Sequence, residues 1–590
     1  MESAQPTKLN SCKTLYLIIE RPELTYYLSK EMPYPVRVLD SCLIDYLPEE
    51  YFNKYGEIPE QIYLNYDISK NSLPSLENAL EKAFQCEKSI FQPLINEETF
   101  ERLKLNFQIQ GLGWTFHQLK TFEEIGKQIA SKLEGFRVLI PVLYRPGVDY
   151  RPSILAGKTI TSALQRLGLQ VEPEFFTMTE PTVRVYPDFS SITPEQRAAD
   201  VWVMWNGIGY DHTFLYESLK TLGAVFQVRS GTWDSLIEGL AQLPSITNTD
   251  LIRRYQATHP TEFRAFLIHI TQILHLAYRG FSEDKILVNL QVEEFTTLYM
   301  EQIALMYDLR DSAVDLPTLT IMGNHPAMAS APVAFFGSMQ SKKIVYFPHS
   351  KFQNLKLPAQ LGTAICYPTT ALRTLVESTI NPRVNFLNVR YPSTLKAYVN
   401  RSYKLNTLGI LLNKASVDGF HITSPSLTAK AILDIKNFTK VHAIQLAVRD
   451  KPFGTNLRYY SSACLLDTRE MRENISINID TFVKKCDLII LLDSPTSASA
   501  DVLQHGIPAV QLYLRDVHIT EAAILPALIP VFNLSQLLAF LTEAIYSEAF
   551  FREFGLSQNS AYIECIMNAT TLDTELKCVL ESKNSIKHYE

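Results

Sequence analysis

The stretch that most constrains the fold of this 590-residue chain is 486–510, which reads CDLIILLDSPTSASADVLQHGIPAV. Its apolar run, 488–492, predicts a short strand buried on both faces, as is typical of a parallel sheet. A turn with small hydroxyl residues follows, and then a helix. Gly506 is expected to end this helix, and Pro508 blocks its continuation before the next strand. Strand, hydroxyl-rich turn, helix and strand make up one half of a nucleotide-binding unit.

The turn after this strand is a candidate phosphate site. Ser494, Thr496 and Ser497 lie where the predicted helix begins. The first N–H groups of a helix have no partner within it, and the positive end of the helix dipole lies there, so this position suits an anion. Asp501, inside the same helix, is a candidate ligand of a sugar or ribose hydroxyl.

Length and composition indicate a globular protein of several domains. A chain of 590 residues with 46% apolar and 20% charged residues predicts two to four domains of roughly 150 residues each. The net charge of −7 does not favour nucleic-acid binding, which needs a basic face. The eight cysteines are scattered without metal-binding spacing, which predicts reduced, mostly buried thiols in a cytosolic protein.

The sequence shows neither a secretion signal nor a membrane-spanning segment. The first residues, MESAQPTKLNSCK, lack an apolar core. No uncharged apolar run reaches the length of about 18 residues that a membrane helix needs. We therefore expect a soluble, cytoplasmic chain, or one that contacts the inner face of a membrane only peripherally.

The first 130 residues carry no catalytic signature and are interpreted as an N-terminal extension. The run FRVLIPVL, 136–143, predicts a strand.

The sequence Gly157-Lys158-Thr159 suggests a phosphate-binding P-loop. The motif also requires a glycine five residues before Gly157, and this chain has Pro152 there. From 250 to 309 the pattern is that of amphipathic helices that pack in a core or between domains.

Acid–base candidates follow three predicted strands in the middle of the chain. Asp211 and His212 come after the strand ending DVWVMWNG, and His325 comes after TLTIMGN. His349 follows the strand KKIVYFP. If the strands that precede His325 and His349 are parallel neighbours, the two histidines lie at one edge of a sheet, where either could take a proton from a hydroxyl. The alternative interpretation is that each is a turn or helix-capping residue.

Three strands of the last third are followed by polar loops. The strand 408–412 precedes Asn413, Lys414 and Asp418, and the strand 443–448 precedes Arg449 and Lys451. With the turn after 488–492, these loops leave the carboxyl ends of strands. In a doubly wound sheet such loops line one crevice, where ligands bind.

Taken together, these units resemble the GT-B fold of nucleotide-sugar glycosyltransferases. More closely they are similar to the capsule-polysaccharide glycosyltransferases, including those that transfer Kdo-type acids from CMP. Four pieces carry the resemblance: WNGIGYDHTFLYESLKTLGAVFQVRSG, IVYFPHS, ILLNKASVDGFHITSP and CDLIILLDSPTSASADVLQHGIPAV. The chain departs from the family where Lys-x-His-Pro is usual, since it has Arg449-Asp450-Lys451-Pro452, and where Asp501 replaces the usual Glu.

The resemblance implies an α/β, GT-B-like protein whose two Rossmann-like domains face a cleft. The expected parts are the extension 1–130, an acceptor-side domain 131–395, a donor-nucleotide domain 396–575 and a tail 576–590. The donor domain would bind a nucleotide sugar, CMP-linked donors included, through the polar residues of its three loops and Asp501. A base, His349, His212 or Asp211, would activate the acceptor, a glycan or lipid-linked hydroxyl of a surface polysaccharide.

No metal and no cofactor beyond the nucleotide-sugar substrate is expected, because the chain has no clustered Asp-x-Asp. Two alternatives remain open. One is a polyol-phosphate transferase that uses a CDP-alcohol. The other is a degenerate GT-B protein that binds a glycan or a partner without turnover, which the Lys at position 451 favours.

Overall fold

The computed structural model shows an α/β protein, with three parallel sheets among its described residues. The strand pairs described within these sheets all run parallel. This confirms the expected fold class, with Rossmann-like sheets in the middle and at the end of the chain. The structure describes residues 13–39, 41–56, 69–103, 107–143, 152–177, 183–204, 212–229, 237–282, 284–323, 330–347, 364–367, 385–389, 404–412, 425–451, 456–492, 498–514, 528–567 and 570–581.

The first sheet has four strands in the order β2-β1-β3-β4. Its strands are β1 (Lys13–Ile18), β2 (Val36–Val38), β3 (Phe136–Leu143) and β4 (Val171–Phe176). A 3₁₀ turn, Ser41–Tyr46, follows β2. The helices of this N-terminal unit are α1 (Arg21–Ser29), α2 (Glu49–Tyr55), α3 (Ser69–Phe91), α4 (Glu97–Leu103), α5 (Ile109–Leu133) and α6 (Pro152–Arg166).

Strand β3, which the apolar run 136–143 predicted, belongs to this first sheet. It pairs with β1 from Lys13↔Phe136 to Tyr16↔Leu139. The sequence analysis ended the N-terminal section at residue 130, but in the structure its sheet continues through β4 to Phe176. An apolar run predicts a buried strand but does not show which strands pair with it. The pattern of 136–143 therefore could not assign this strand to a sheet. The N-terminal section therefore contains the first parallel sheet, and it shares a buried core with the middle unit.

The second sheet has seven strands in the order β13-β12-β11-β10-β6-β7-β8. They are β6 (Val201–Met204), β7 (Val225–Gln227), β8 (Ala241–Gln242), β10 (Leu319–Gly323), β11 (Lys343–Phe347), β12 (Ala364–Tyr367) and β13 (Asn385–Asn388). An antiparallel ribbon pairs β5 (Val185–Pro187) with β9 (Ser245–Thr247). The helices of this middle unit are α7 (Pro194–Arg197), α8 (His212–Leu219), α9 (Asn248–Thr258), α10 (Pro260–Tyr278), α11 (Lys285–Asp311) and α12 (Ser330–Met339), with 3₁₀ turns at Phe189–Ser191 and Lys220–Leu222.

Helix α11 joins the ribbon and the N-terminal unit in one core. Arg184 donates from Nε and Nη2 to the two carboxylate oxygens of Glu301, at 2.8 and 2.6 Å, and the Tyr186 hydroxyl donates to the same carboxylate. Both charged side chains are buried, so each depends on the other. Two residues earlier in α11, the Tyr299 hydroxyl donates to Glu87 of α3 at 3.0 Å. The amphipathic helices therefore pack in a core, as predicted.

The third sheet has five strands in the order β15-β14-β16-β17-β18. They are β14 (Thr407–Leu411), β15 (Gln445–Arg449), β16 (Leu488–Leu492), β17 (Ala509–Leu512) and β18 (Val531–Phe532). The helices are α13 (Pro425–Val441), α14 (Leu457–Ala463), α15 (Thr468–Ser476), α16 (Ile479–Lys484), α17 (Ala498–Gln504), α18 (Leu534–Tyr546), α19 (Glu548–Met567) and α20 (Leu572–Glu581).

The described residues of the stretch 486–510, which are 486–492 and 498–510, fold as its pattern predicts. All five residues of β16 are buried. Helix α17 ends at Gln504, and Gly506 takes the left-handed conformation with φ +61°. That conformation suits glycine because it has no Cβ. After Pro508 the chain enters β17, which pairs with β16.

The last helix, α20, returns to the middle unit. Leu572 and Leu576 are fully buried in a cluster that contains Val201 and Ile321 of the second sheet. Lys343, at the start of β11, donates from its ammonium to the carbonyl of Val579. The segment expected as a tail from residue 576 thus begins inside a helix that packs on the second sheet.

Candidate functional site

The three strands that carry the predicted donor loops end side by side. Leu411 of β14 pairs with Arg449 of β15 and with Leu491 of β16. The chain runs from β14 outward to β15 and then back to β16 on the other side. A topological switch point therefore lies between β14 and β16, where open parallel sheets bind ligands. The loops after these strands start at one edge, as the sequence predicted.

Most of the predicted site residues lie outside the described residues, so their roles stay predictions. These are Asp211, His349, Asn413, Lys414, Asp418, Ser494, Thr496 and Ser497. Of the remaining candidates, Arg449, Lys451 and Asp501 are described with their side chains, whereas His212 is described only by its backbone.

Arg449, the last residue of β15, holds a neighbouring helix rather than an open site. Its Nη1 donates to the carbonyls of Asn474, and of Ile475 at 3.1 Å, at the carboxyl end of α15. Only 7% of the side chain is exposed. The guanidinium also lies 5.9 Å from the ring centre of Phe482. Burial lowers the pKa of Arg449, and the adjacent Asp450 opposes this. This cation satisfies helix-end carbonyls, and its role at a phosphate stays a prediction.

Asp450 closes the loop that follows β15. Its Oδ1 accepts a hydrogen bond from the Lys451 N–H and its Oδ2 accepts one from the Asn456 N–H, each at 2.7 Å. The side chain is 1% exposed. Burial raises the pKa of Asp450 to about 6, and the nearby Asp45 adds to the rise, although the two N–H groups oppose it. The residue is a loop-closing carboxylate that the sequence analysis did not single out.

Lys451, the next residue along the chain, has an exposed side chain. The cation that the sequence predicted here therefore lies at the surface. An ammonium group on a flexible stem suits a phosphate as a point charge. Among the described candidates, Lys451 is therefore the cation best placed to meet a ligand at this strand end.

Asp501 lies in the first turn of α17 and is partly buried. A carboxylate in the first helical turn interacts favourably with the positive end of the helix dipole. Helix α17 begins at Ala498, directly after the segment that holds the predicted phosphate-binding hydroxyls. The structure thus confirms that this hydroxyl-rich segment leads into a helix.

In the middle unit, the strands that precede the predicted bases are neighbours. β10 pairs in parallel with β11 up to Gly323↔Phe347, and β10 also pairs with β6. The adjacency that the sequence analysis required for His325 and His349 is therefore present, but both histidines lie outside the described residues. His212 is the first residue of α8, which follows β6.

A residue of the N-terminal unit completes the loop after β15. Asp45, in the 3₁₀ turn after β2, accepts hydrogen bonds from the N–H groups of Leu457 and Arg458, at 2.6 and 2.8 Å. These residues open α14, directly after the loop that Asp450 closes. No local pattern predicts a contact across 412 positions of sequence, so sequence reasoning missed Asp45.

Within the described residues there is no group of three side chains that could hold a metal ion. Nor does any helix in the described part of the chain have the length and apolar character needed to cross a membrane. The described thiols of Cys42, Cys86, Cys464 and Cys486 are buried and reduced.

Comparisons with known proteins give only distant structural likeness. No family model and no curated protein matches the sequence. In structure the chain is similar to the glycosyltransferase SnogD from Streptomyces nogalater, with 13% identity, 65% of this chain and 99% of that chain covered, and a TM-score of 0.36. It is also similar to the lipopolysaccharide outer core galactosyltransferase WaaB, with 11% identity, 64% of this chain and 98% of that chain covered, and a TM-score of 0.36.

A protein of another kind is among these matches. A putative UDP-N-acetylglucosamine 2-epimerase from Listeria monocytogenes matches at 11% identity, with 49% of this chain and 81% of that chain covered, and a TM-score of 0.31. Likeness at this level does not identify a function. The fold described above rests on the sheets of this chain.

Proposed function

We propose that the chain is a glycosyltransferase of the GT-B type. It would move a sugar from a nucleotide-sugar donor to a glycan or lipid-linked hydroxyl of a surface polysaccharide, without a resident cofactor or metal. The single observation that supports this most is the alignment of β14, β15 and β16 at one carboxyl edge, with the switch point between β14 and β16. The hydroxyl-rich segment connects β16, one of these strands, to α17.

On the donor side, the phosphates would lie against Ser494, Thr496 and Ser497 at the start of α17. The helix N–H groups and dipole favour negative charge there. Lys451 would offset the charge that grows on the leaving nucleotide phosphate as the glycosidic bond breaks. Arg449 is left out of this role, because its guanidinium donates to the carbonyls of Asn474 and Ile475.

The remaining loop residues would select the donor. Asn413, Lys414 and Asp418 follow β14, the central strand at the switch point. Asp501 would accept a hydrogen bond from a sugar or ribose hydroxyl. On the acceptor side, His349, His212 or Asp211 would take the proton of the attacking hydroxyl as a general base.

A titration calorimetry panel tests this assignment. The full chain is titrated with CMP-, UDP-, GDP- and CDP-linked compounds, and transfer is then assayed with the donor that binds. We expect one nucleotide class to bind, and we expect Ser497→Ala and Lys451→Ala each to weaken it. The assignment is wrong if no compound binds, or if both variants bind and transfer like the unaltered chain.

The first alternative, a CDP-alcohol polyol-phosphate transferase, differs in its product. A polyol-phosphate transferase leaves phosphorus in the new linkage, whereas a glycosyltransferase does not. Phosphorus analysis of the product therefore separates the two activities.

The second alternative, a non-catalytic binding protein, has one structural observation in its favour. Two cations lie at the end of β15. Arg449 donates to the carbonyl of Asn474, and Lys451 stands where the family that the chain resembles has a titrating His. Binding of one nucleotide class without turnover of any acceptor would support this alternative.

A further inference from the structure

A cavity of about 330 Å³ lies where the N-terminal unit meets the middle unit. Its described lining comes from α5 and α6 on one side, and from the segment 279–282 and the beginning of α11 on the other. Clefts that bind small molecules measure about 300–1,000 Å³ and occur preferentially between folding units. The described lining contains no residue of the third sheet and none of the predicted acceptor bases.

Both walls of this cavity are closely packed. A Cβ at Gly126 of α5 would lie 2.8 Å from the Cβ of Ala163 of α6, so these two helices meet without a side chain between them. On the other wall, the ring of Phe281 stacks on that of Phe116, with ring centres 4.2 Å apart. The cavity is therefore formed before any ligand enters, as ligand sites usually are.

The carboxylates of the described lining already have partners. Asp284 caps α11, where its Oδ1 accepts from two N–H groups of the first turn, and its Oδ2 accepts from the Ser162 hydroxyl of α6 at 2.8 Å. Glu123 of α5 lies 3.1 Å from Arg166 of α6. These groups are used to join the elements around the cavity, and their charge is compensated there.

Two cations of the lining are in a different position. Lys120 of α5 and Arg279, directly after α10, are exposed and have no carboxylate partner among the described residues. The Lys120 ammonium lies 5.3 Å from the ring centre of Phe281, and the ammonium of Lys82 lies 4.9 Å from the same ring. Positive charge collected at one cleft attracts an anion.

The α6 wall also contains a buried hydroxyl without a partner. Thr159 is 7% exposed, and its Oγ1 makes no hydrogen bond within the described part of the chain. A buried polar group left in this state is costly and calls for an explanation. Thr161 shows the usual arrangement, because its hydroxyl donates to the Gly157 carbonyl at 2.6 Å. A ligand in the cavity would supply the partner that Thr159 lacks.

This position also accounts for the segment Gly157-Lys158-Thr159, which suggested a P-loop. Helix α6 begins at Pro152, so the segment lies within the helix and not in a loop before it. Its amides therefore do not cradle a phosphate as those of a P-loop do. The residue of this segment that lines the cavity is Thr159, and it does so through its side chain.

We propose that this cavity binds the phosphomonoester of a small polyol, such as a sugar phosphate. The phosphate would pair with Arg279, whose guanidinium can donate two parallel hydrogen bonds, and with Lys120 as a point charge. Thr159 would hydrogen-bond to the polyol. An apolar ligand is not expected, because most of the described lining is polar or charged. The site is additional to the donor site and does not rest on the proposed function.

Calorimetry on the full chain at low ionic strength tests the site, with glucose-6-phosphate as the probe and glucose as the neutral reference. We expect glucose-6-phosphate to bind and glucose to bind far more weakly. Arg279→Ala and Lys120→Ala should each raise the Kd at least about tenfold, because each removes a hydrogen bond to a charged group. Thr159→Val, which removes only the hydroxyl, should raise it about three- to tenfold.

Two matched controls separate the site from general effects. Arg264→Ala removes the same charge from an exposed position of α10 outside the described lining, and it should leave the Kd within about twofold. Thr161→Val removes a buried hydroxyl that already has a partner, and it should leave the Kd equally unchanged. Urea denaturation of each variant confirms that it folds. Equal losses of affinity in Arg279→Ala and Arg264→Ala would overturn the proposal.

Vesicles distinguish a free sugar phosphate from a lipid head group with the same chemistry. Sedimentation is measured with phosphatidylcholine vesicles that contain either phosphatidylinositol or phosphatidylinositol-4-phosphate. Binding of glucose-6-phosphate but not of vesicles assigns the site to a free ligand. Vesicle binding that requires the 4-phosphate and is lost in Arg279→Ala assigns it to a head group. The proposal is wrong if neither probe binds, or if the cavity variants bind like the unaltered chain.

The nucleotide panel separates this site from the donor site. Arg279→Ala should leave the Kd of the nucleotide class found by calorimetry within about twofold. If that Kd rises as much as the Kd of glucose-6-phosphate, the cavity belongs to the donor site and the proposal of an additional site is overturned. If glucose-6-phosphate binds through Arg279 while no nucleotide binds the unaltered chain, this site stands and the proposed function fails.

Discussion

Gly409 of β14 lies directly opposite Ile489 of β16, and a Cβ at Gly409 would lie 2.5 Å from Cδ1 of Ile489. The same Cβ would meet Sγ of Cys486 at 2.6 Å. Real Cβ atoms do not approach other atoms so closely, so the side chains of Ile489 and Cys486 must move to admit any larger residue. Close packing of β14 against β16 at this position is therefore matched to a glycine.

The first prediction follows from this contact. Gly409→Ala is expected to lower the free energy of unfolding by about 1–3 kcal/mol, the usual cost of overpacking a core. Ile489→Val removes the Cδ1 that the new methyl group meets. In the double variant the loss should be smaller than the sum of the two single losses, as measured by urea denaturation. Additive losses would contradict the proposed clash, because residues in contact should couple.

The second prediction concerns Arg449. Arg449→Ala should destabilise the protein by about 2 kcal/mol, because the buried carbonyls of Asn474 and Ile475 lose a charged donor. Nucleotide affinity should fall only to the extent that the fold is lost. Chemical denaturation and calorimetry on the same variant separate the two effects. A large loss of affinity at unchanged stability would return Arg449 to the phosphate site.

The third prediction is the converse, for Lys451. Because this side chain is exposed, Lys451→Ala should leave the unfolding free energy within about 0.5 kcal/mol of the unaltered chain. The Kd of the nucleotide should rise about five- to tenfold at low ionic strength, and the difference should shrink as salt screens the charge. Lys451→Arg, which keeps the charge, is the control and should bind nearly as well as the unaltered chain. Affinity that is independent of salt in all three proteins would argue against a phosphate contact.

Local signals were sufficient to predict the elements around 486–510. The apolar run 488–492, Gly506 and Pro508 each act on the backbone within a few residues, and the structure forms β16, α17 and β17 accordingly. The parallel α/β fold class could also be predicted, because apolar runs alternate with helical patterns along the sequence. The edge at which β14, β15 and β16 end was predictable for the same reason, because strand ends in a parallel sheet align.

Long-range pairings could not be predicted in this way. β3 reads as a buried strand in any sheet, and only its register with β1 assigns it to the N-terminal unit. Arg449 reads as a free cation at a strand end, yet its guanidinium meets carbonyls about 25 residues further along the chain. Asp45 gave no signal because its partner amides are 412 and 413 positions away. What a polar side chain binds is decided by packing that no local pattern records.

The fourth prediction concerns pH and the buried Glu23 of α1. The side chain is fully buried, and burial raises its pKa from 4.5 to about 7. The folded state therefore binds this proton more tightly than the unfolded state does. The stabilising effect of the bound proton is complete below about pH 4.5 and is lost as the pH rises through about 7. Glu23→Gln stays neutral throughout, so the variant lacks this particular loss of stability.

Urea denaturation at pH 5 and pH 8 measures the effect. From pH 5 to pH 8, the unfolding free energy of Glu23→Gln should rise relative to that of the unaltered chain. The rise is at most about 3 kcal/mol for a pKa shift of this size. Burial raises the pKa of Glu87 to about 8. This residue changes the stability of both proteins in the same direction, so its contribution cancels in the difference between them. If the difference between variant and unaltered chain is the same at both pH values, Glu23 does not carry a proton in the folded protein near neutral pH.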